Sequence, residues 1–218
     1  METGAGEGYR AEPFSGLFAD RLPTPFPFRR AKREPEPPDE PAGAGLEDRG
    51  PDPSRYLEAL AFFDQGRYAE SAAKLPEDPG DPTWTAEEAG LRARICANLG
   101  ELEDAVQWSE KSLALGKLNA ALHHQHGIIL QERGLNEEAA ISFRRALYLD
   151  PELIMAHFAL GDLESRRKRF DSAQRHFANT LALAVRYQAS DLIPWSDGLT
   201  AAELKELVQS ALALNPSR

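Results

Sequence analysis

The stretch ALHHQHG brings together His123, His124 and His126, and His157 follows 34 residues after His123. Imidazole nitrogens bind zinc, so such a group could form a metal site. A zinc site also needs ligands that converge on one point, with a cysteine or a carboxylate completing the set, and the sequence shows no completed set. We therefore expect these histidines to be packed or solvated, and we predict neither a metal nor a cofactor.

Two other features could carry chemistry. Cys96 is the single cysteine, and no histidine lies near it in sequence to activate it, so it should behave as a small apolar residue. The stretch ESRRKRF contains a basic run at 166–169. It suits a solvated helix end, where the helix dipole favours cations, and contact with a phosphate or an acidic partner is the alternative.

Catalytic motifs are not found in the sequence. There is no glycine-rich phosphate loop, no G-x-S-x-G motif and no paired catalytic carboxylate motif. We therefore predict no catalytic residue and a protein that is not an enzyme.

Composition narrows the classes of partner and the compartment. The net charge of −10 disfavours general binding to nucleic acid or to an anionic membrane. One cysteine allows no internal disulfide, which fits a reducing compartment. No apolar run approaches the roughly 20 residues that span a bilayer, and the N-terminus lacks the pattern of a secretory signal. We expect a soluble cytoplasmic protein without membrane insertion.

Residues 1–52 differ from the rest of the chain. KREPEPPDEPAGAGLEDRGPDP is rich in Pro, Gly and Glu, so it cannot bury enough surface to offset its ordering entropy. We predict a mostly disordered tail that ends in a Pro/Glu-rich linker. The preceding PFSGLFADRLPTPFPFRR carries Phe14, Phe18, Phe26 and Phe28 and is too short to fold alone. It is either a floppy tail or a segment that docks on something else.

A period of 34 residues organises the remainder of the chain. It is shared by glycine, alanine and phenylalanine, which chance would seldom produce, and it is the period of the tetratricopeptide repeat, a helix–turn–helix unit. The residues that repeat at this spacing are Gly66, Gly100 and Gly134; Ala105, Ala139 and Ala173; Gly127 and Gly161; and Phe143 and Phe177.

Each repeated residue has a physical role in such a unit. Gly127 with Ala139 lets two antiparallel helices approach closely, and Phe143, one turn after Ala139, fills the groove between helices. Gly134 stands between the two helices, where the chain must turn and a positive φ is easiest for glycine. Pro151 ends the second helix and is tolerated in the first turn of the next.

We therefore predict an all-α tetratricopeptide-repeat solenoid of antiparallel helix hairpins, without a β-sheet, over 53–187. Lys168 stands where the fourth unit would have its turn glycine, so that turn could differ. A loop and a capping helix follow at 188–218: Thr200 and Glu203 form a capping box, and Leu204 begins an apolar stripe. The four units are predicted at about 53–79 (degenerate), 86–119, 120–153 and 154–187.

In arrays of this type the first helices line a concave groove, and the register predicts which side chains face it. Their mixture of aliphatic, aromatic and charged groups suits a helix or an extended peptide. It lacks the Lys and Asn cluster of a groove that clamps a C-terminal carboxylate. The predicted partner-binding residues are Arg94, Asn98, His124, Ile128, Gln131, Phe158, Asp162 and Arg166.

Residues 86–210 resemble the repeat region that follows the catalytic domain in chemotaxis-receptor methyltransferases of the CheR type. The stretches RRALYLDP, AHFALG, RHFANTLAL and SDGLTAAEL carry the resemblance, and LFADRLPTPFPFRR is similar to the end of that family's catalytic domain. The resemblance implies a docking module whose partner is a chemoreceptor, a methyltransferase or another chemosensory protein.

The family's catalytic domain has no counterpart here. That domain holds S-adenosylmethionine and modifies receptor glutamates, but no strand, glycine-rich turn and helix follow one another in this sequence. The first hypothesis is therefore a non-catalytic adaptor in bacterial chemosensory signalling. The second is a fragment or split subunit of such a methyltransferase, and a third, an assembly factor for secretion or envelope machinery, would need a signal or lipid anchor.

Overall fold

The computed structural model describes residues 53–196 and 198–214, so the predicted tail at 1–52 lies outside the described residues. The described residues form nine α-helices and, apart from one isolated bridge between Leu192 and Thr200, no β-structure. The helices are α1 Pro53–Asp64, α2 Tyr68–Ala73, α3 Ala86–Leu99, α4 Leu102–Leu115, α5 Ala120–Glu132, α6 Asn136–Leu149, α7 Ile154–Arg166, α8 Phe170–Ala184 and α9 Ala201–Leu214.

Helices α1 to α8 pair into four hairpins that stack in chain order. Within a hairpin the two helices contact each other along their length, and each second helix also contacts the first helix of the next hairpin. The first helices α1, α3, α5 and α7 contact one another in succession, so they share one face of the stack. The predicted solenoid of antiparallel hairpins is confirmed.

Glycine and phenylalanine set the approach of the two helices in the third and fourth hairpins. A Cβ atom on Gly127 would lie 2.5 Å from Cε1 of Phe143, and one on Gly161 would lie 2.6 Å from Cδ1 of Phe177. Both phenylalanines are buried. The aromatic ring therefore lies directly on the glycine, and only glycine leaves room for it.

The turn inside each hairpin uses a left-handed residue. Gly66, Gly100 and Gly134 have φ values of 76°, 84° and 84°. Lys168 stands at the same position of the fourth hairpin and has a φ of 58°, so the turn is kept although a lysine replaces the glycine. An L-residue pays roughly 1–2 kcal/mol for this conformation.

The first hairpin is the shortest, because α2 spans only six residues. It is tied to the second hairpin by Glu88, whose carboxylate accepts hydrogen bonds of 2.7 and 2.8 Å from Arg55. Glu88 also forms a capping box with Thr85 at the start of α3. Burial alone would raise the pKa of Glu88, but the hydrogen bonds from Arg55 and Thr85 outweigh burial and hold the pKa below its usual value.

Repeated ion pairs join neighbouring hairpins. Arg133 lies 3.4 Å from Glu103, and Arg167 lies 3.0 Å from Glu137. Both partners of the second pair stand 34 residues after those of the first, so the ion pair itself follows the period.

Helix α9 covers the end of the array. Thr200 Oγ1 accepts from the Glu203 amide at 3.3 Å and the Glu203 carboxylate accepts from the Thr200 amide at 2.8 Å, which confirms the predicted capping box. The apolar stripe joins the core formed with α7 and α8. Leu204, Val208 and Ala211 are buried, and Leu207 and Leu212 are partly buried against that core.

Candidate protein-binding face

The face lined by α1, α3, α5 and α7 carries the side chains predicted to bind a partner, and we call it the first-helix face. The structure divides those eight side chains into two groups. Asn98, His124, Ile128 and Phe158 are buried, with 3–6% of their surface exposed. Arg94, Gln131 and Asp162 are half-buried, and Arg166 is exposed.

The buried group supports the face from below. The ring of His124 lies against Phe143 at 5.8 Å between centroids, and Phe158 lies 6.2 Å from Phe177. The Asn98 amide donates to the Arg94 carbonyl one turn earlier at 2.9 Å. These contacts lie within the array, so these residues shape the face, while the half-buried and exposed groups supply its accessible chemistry.

One polar cluster lies between α5 and α7, and we call it the α5–α7 cluster: Gln131, Glu132, Asp162 and Arg166. Arg166 Nε lies 2.9 Å from an Asp162 carboxylate oxygen, and Gln131 also hydrogen-bonds that carboxylate. Burial raises the pKa of Asp162, against the lowering effects of Arg166 and Gln131. Glu132 is exposed as a whole residue, yet burial raises the pKa of its carboxyl group, which Arg166 partly offsets.

A second polar cluster lies between α1 and α3, and we call it the α1–α3 cluster: Tyr56, Asp64, Glu87 and Arg94. The guanidinium carbon of Arg94 lies 4.2 Å from the centre of the Phe63 ring, a cation–π contact. Burial raises the pKa of Tyr56, Arg94 lowers it, and Glu87 and Asp64 raise it, so these charges act on one another.

Sequence reasoning named three residues of the α5–α7 cluster but missed Glu132, and it named only Arg94 of the α1–α3 cluster. The repeat register could have identified Glu132 and Asp64. Glu132 occupies the same repeat position as Asn98 and Arg166, and Asp64 occupies the equivalent position of the first unit. The first unit is degenerate, which is why its facing positions were not assigned.

The histidines are held by contacts inside the array. His126 Nδ1 lies 2.7 Å from Ser109 Oγ, and His123 Nε2 lies 2.9 Å from the Lys117 carbonyl oxygen. His157 pairs with His176 through their Nδ1 atoms at 3.1 Å. Across residues 53–196 and 198–214, no three His, Cys, Asp or Glu side chains come together as a metal site requires.

Cys96 is enclosed by the array, and the basic run at 166–169 forms ion pairs with it. Cys96 is buried, and burial raises the pKa of its thiol to about 11, so it carries negligible thiolate at neutral pH. In the basic run, Arg166 pairs with Asp162, Arg167 with Glu137 and Arg169 with Glu164. The run is therefore not simply a solvated helix end, because three of its side chains hold carboxylates of the array.

Comparison with known proteins follows the same lines. A family model described as tetratricopeptide repeat matches residues 120–153, the third predicted unit. A search of curated proteins finds no match to this sequence.

Solved structures with a similar fold share little sequence with this chain. PilF of Pseudomonas aeruginosa superimposes with a TM-score of 0.57 at 20% identity, over 76% of this chain and 76% of that chain. A fragment of MamA from Desulfovibrio magneticus gives 0.54 at 19% identity, over 62% and 77%. YrrB, described as a TPR protein with an unusual peptide-binding site, gives 0.52 at 14% identity, over 60% and 67%.

Together, the repeat match and the superpositions define the class of fold: residues 120–153 match a tetratricopeptide repeat, and the described residues have the fold of a tetratricopeptide-like helical solenoid. None of these matches points to a chemotaxis-receptor methyltransferase. In the part of the chain described here, no helix is long and apolar enough to cross a membrane.

Proposed function

We propose that this chain is a non-catalytic protein-interaction module whose first-helix face binds a segment of a partner protein. The observation that carries the proposal is the pairing of two polar clusters on that face, α1–α3 and α5–α7, above a buried floor that includes Ile128 and Phe158. Charged groups held on packed helices lose little freedom when a partner binds, which lowers the entropic cost of association.

Substitutions of the buried residues beneath the face cannot test this proposal, because they also destabilise the fold. Truncating Phe158 would open a cavity and cost about 3–5 kcal/mol of stability, so a loss of binding would be uninformative. Gln131 and Arg166 reach the surface, so truncating them opens no cavity in the core. Because both hydrogen-bond the Asp162 carboxylate, a variant that lacks both is used only if thermal unfolding shows a Tm close to that of the unchanged chain.

The test is affinity capture from native cells with the full chain as bait, followed by measurement of affinity for each captured protein. We expect Gln131→Ala combined with Arg166→Ala to weaken the partner about tenfold or more, which corresponds to about 1.4 kcal/mol. Arg175→Ala, which removes an exposed arginine on α8, is the matched control. Equal capture of the partner by the unchanged chain, the double variant and the Arg175→Ala control would contradict the proposal.

The finer proposal concerns the partner. The resemblance of residues 86–210 to the repeat region of CheR-type enzymes supports a chemoreceptor, a receptor methyltransferase or another chemosensory protein, met in the cytoplasm. Calorimetric titration of the chain with a purified chemoreceptor cytoplasmic domain and with a purified receptor methyltransferase tests this. Absence of heat with both proteins at concentrations up to about 100 μM would remove the chemosensory assignment and leave the interaction module.

The same resemblance supports a second candidate, a fragment or split subunit of a methyltransferase that uses S-adenosylmethionine through a domain absent here. An upstream reading frame for the catalytic domain would separate this candidate from the adaptor and favour the fragment. Binding of labelled S-adenosylmethionine by this chain alone is a further check, and a measurable signal would overturn the assignment as a non-enzyme.

A further inference from the structure

The first-helix face has more carboxylates than guanidinium groups. Its two clusters hold Asp64, Glu87, Glu132 and Asp162 against Arg94 and Arg166. Of these carboxylates, only Asp162 forms an ion pair among the described residues. Each cluster therefore has one negative charge in excess, and each would be stabilised by an added cation.

The sequence contains a segment of opposite charge. Residues 21–33, RLPTPFPFRRAKR, hold five basic residues and no acidic one, in a chain whose net charge is −10. Most of that positive charge stands at 29–33, and Arg21 stands alone at the other end. Phe26 and Phe28 lie between the two charged ends.

The charged ends of the segment can reach both clusters at once. Neighbouring packed helices lie about 8–10 Å apart, so the one to three steps along the first-helix face that separate residues of the two clusters span about 8–30 Å. Proline at positions 23, 25 and 27 favours the extended polyproline conformation, which rises about 3.1 Å per residue. Eight residues from Arg21 to Arg29 then span about 25 Å.

The connection between segment and array is long enough for contact within one chain. Residues 34–52 separate them, and a random coil of this length would have an r.m.s. extent of about 25 Å. Such tethering gives an effective concentration on the order of millimolar, so even a weak contact would be populated.

We propose that residues 21–33 of this chain bind its own first-helix face, with Arg21 at the α1–α3 cluster and Arg29 and Arg30 at the α5–α7 cluster, and thereby compete with the external partner. This inference rests on the proposed function, because it assigns an internal competitor to the same face. Release of the segment by a tighter partner, or by salt that screens the charges, opens the face.

Another surface is exposed and apolar. Leu118, Tyr148 and Val185 are more than three-quarters exposed and stand near the connections between hairpins, where residues 114–120 line an open depression of about 670 Å³. Glu152 at this edge is already paired with Arg186 at 2.7 Å. This apolar surface lacks the excess carboxylates that would attract a basic segment. It is therefore the alternative binding site that the test distinguishes from the first-helix face.

The test is paramagnetic broadening in the full chain. A spin label on Ala31→Cys is read on the amide resonances of isotopically labelled protein. Burial of Cys96 and the raised pKa of its thiol disfavour labelling at that position. We expect strong broadening at residues 131, 132 and 162, reversed by about 0.5 M salt because screening weakens the contact. Absence of broadening on α5 and α7, or broadening centred on Tyr148 and Leu118, would overturn the proposal.

Charge exchange provides the specificity control. Glu132→Lys should abolish the broadening, and combining it with Arg29→Glu and Arg30→Glu should restore it. As a further control, one chain carries the spin label at natural isotope abundance, and a second chain is isotopically enriched but carries no spin label. A mixture of these two chains should show no broadening. Broadening only in that mixture would show contact between two chains and overturn the intramolecular assignment.

Partner capture separates this inference from the proposed function. With the segment charges reversed at Arg29 and Arg30, we expect about tenfold tighter partner binding, since the competitor is removed. If affinity is unchanged while Gln131→Ala with Arg166→Ala still weakens the partner, the internal competitor is wrong and the proposed function stands. If neither change has an effect, the proposed function fails.

Discussion

Lys168 shows how strongly the surrounding hairpin dictates backbone conformation at a single residue. It adopts a φ of 58° at the position where the other three hairpins have glycine. The conformation persists because the packed helices on both sides determine the turn.

Lys168→Gly should therefore stabilise the protein slightly. Relief of the left-handed strain, about 1–2 kcal/mol, is partly cancelled by the extra entropy that glycine gives the unfolded chain, about 0.5–1 kcal/mol. We expect a net gain of about 0–1.5 kcal/mol in the free energy of unfolding, measured by urea denaturation. Gly134→Lys is the reverse control and should lose about 1 kcal/mol; a gain in that control would contradict the assignment.

Because histidines are buried in the array, we expect the free energy of unfolding to fall in acid. Burial lowers the pKa of His124 and of His126 to about 4, below the usual value near 6.5. Below pH 6.5 these two histidines bind protons in the unfolded chain but stay neutral in the folded chain. Their full contribution to stability is therefore present above that pH and is lost progressively towards pH 4. We expect a loss of about 2 kcal/mol for each of the two at pH 5 relative to pH 7.5, measured by urea denaturation at both pH values.

His124→Phe is the matched variant for this pH dependence, because Phe158 occupies the equivalent position of the next unit. It should reduce the acid loss by roughly half if His124 and His126 dominate. An unchanged slope of stability against pH would show that other groups, such as the pair His157 and His176, cause the loss.

At the scale of the helical hairpin, one close contact sets the distance between two helices. Gly127 lies under the ring of Phe143, and Gly161 lies under that of Phe177. The second hairpin has Ala93 and Ser109 at these positions, so a methyl group is accommodated where the ring is missing.

Gly127→Ala should destabilise the third hairpin. The new methyl group would overlap the Phe143 ring, which costs about 1–3 kcal/mol, and the better helix propensity of alanine returns at most about 1 kcal/mol. Thermal unfolding should show a lower Tm for this variant. Adding Phe143→Ser, which copies the second hairpin, should make Gly127→Ala neutral or favourable relative to Phe143→Ser alone; an equal penalty in both backgrounds would contradict the contact.

Sequence predicted these elements well where the pattern was local or periodic. The capping box of Thr200 and Glu203 is visible as a short motif, and the glycine and phenylalanine positions follow from the period. The capping box of Thr85 and Glu88 has the same Thr-x-x-Glu motif at the start of α3, directly after the proline-rich loop. The anchoring of Arg55 on Glu88 depends on how two hairpins stack, which no local pattern reveals.

At the scale of the whole molecule, the period predicts the solenoid but not the chemistry of its first-helix face. His124, Ile128 and Phe158 face the predicted groove by register, yet neighbouring helices bury them. How deeply a facing residue lies depends on the side chains of the adjacent hairpins and on their stacking distance. Periodicity thus identifies the face, and packing decides that Gln131, Glu132, Asp162 and Arg166 form part of its accessible surface.

The central claim is that this face, rather than the outer side of the array, holds the partner. Site-specific photo-crosslinking in native cells tests it most directly, with a photoreactive residue at Gln131 on the first-helix face or at Ile141, which is exposed on α6. We predict that a defined partner protein is crosslinked from position 131 and not from position 141. The same partner captured from position 141 alone, or no partner from position 131, would contradict the account.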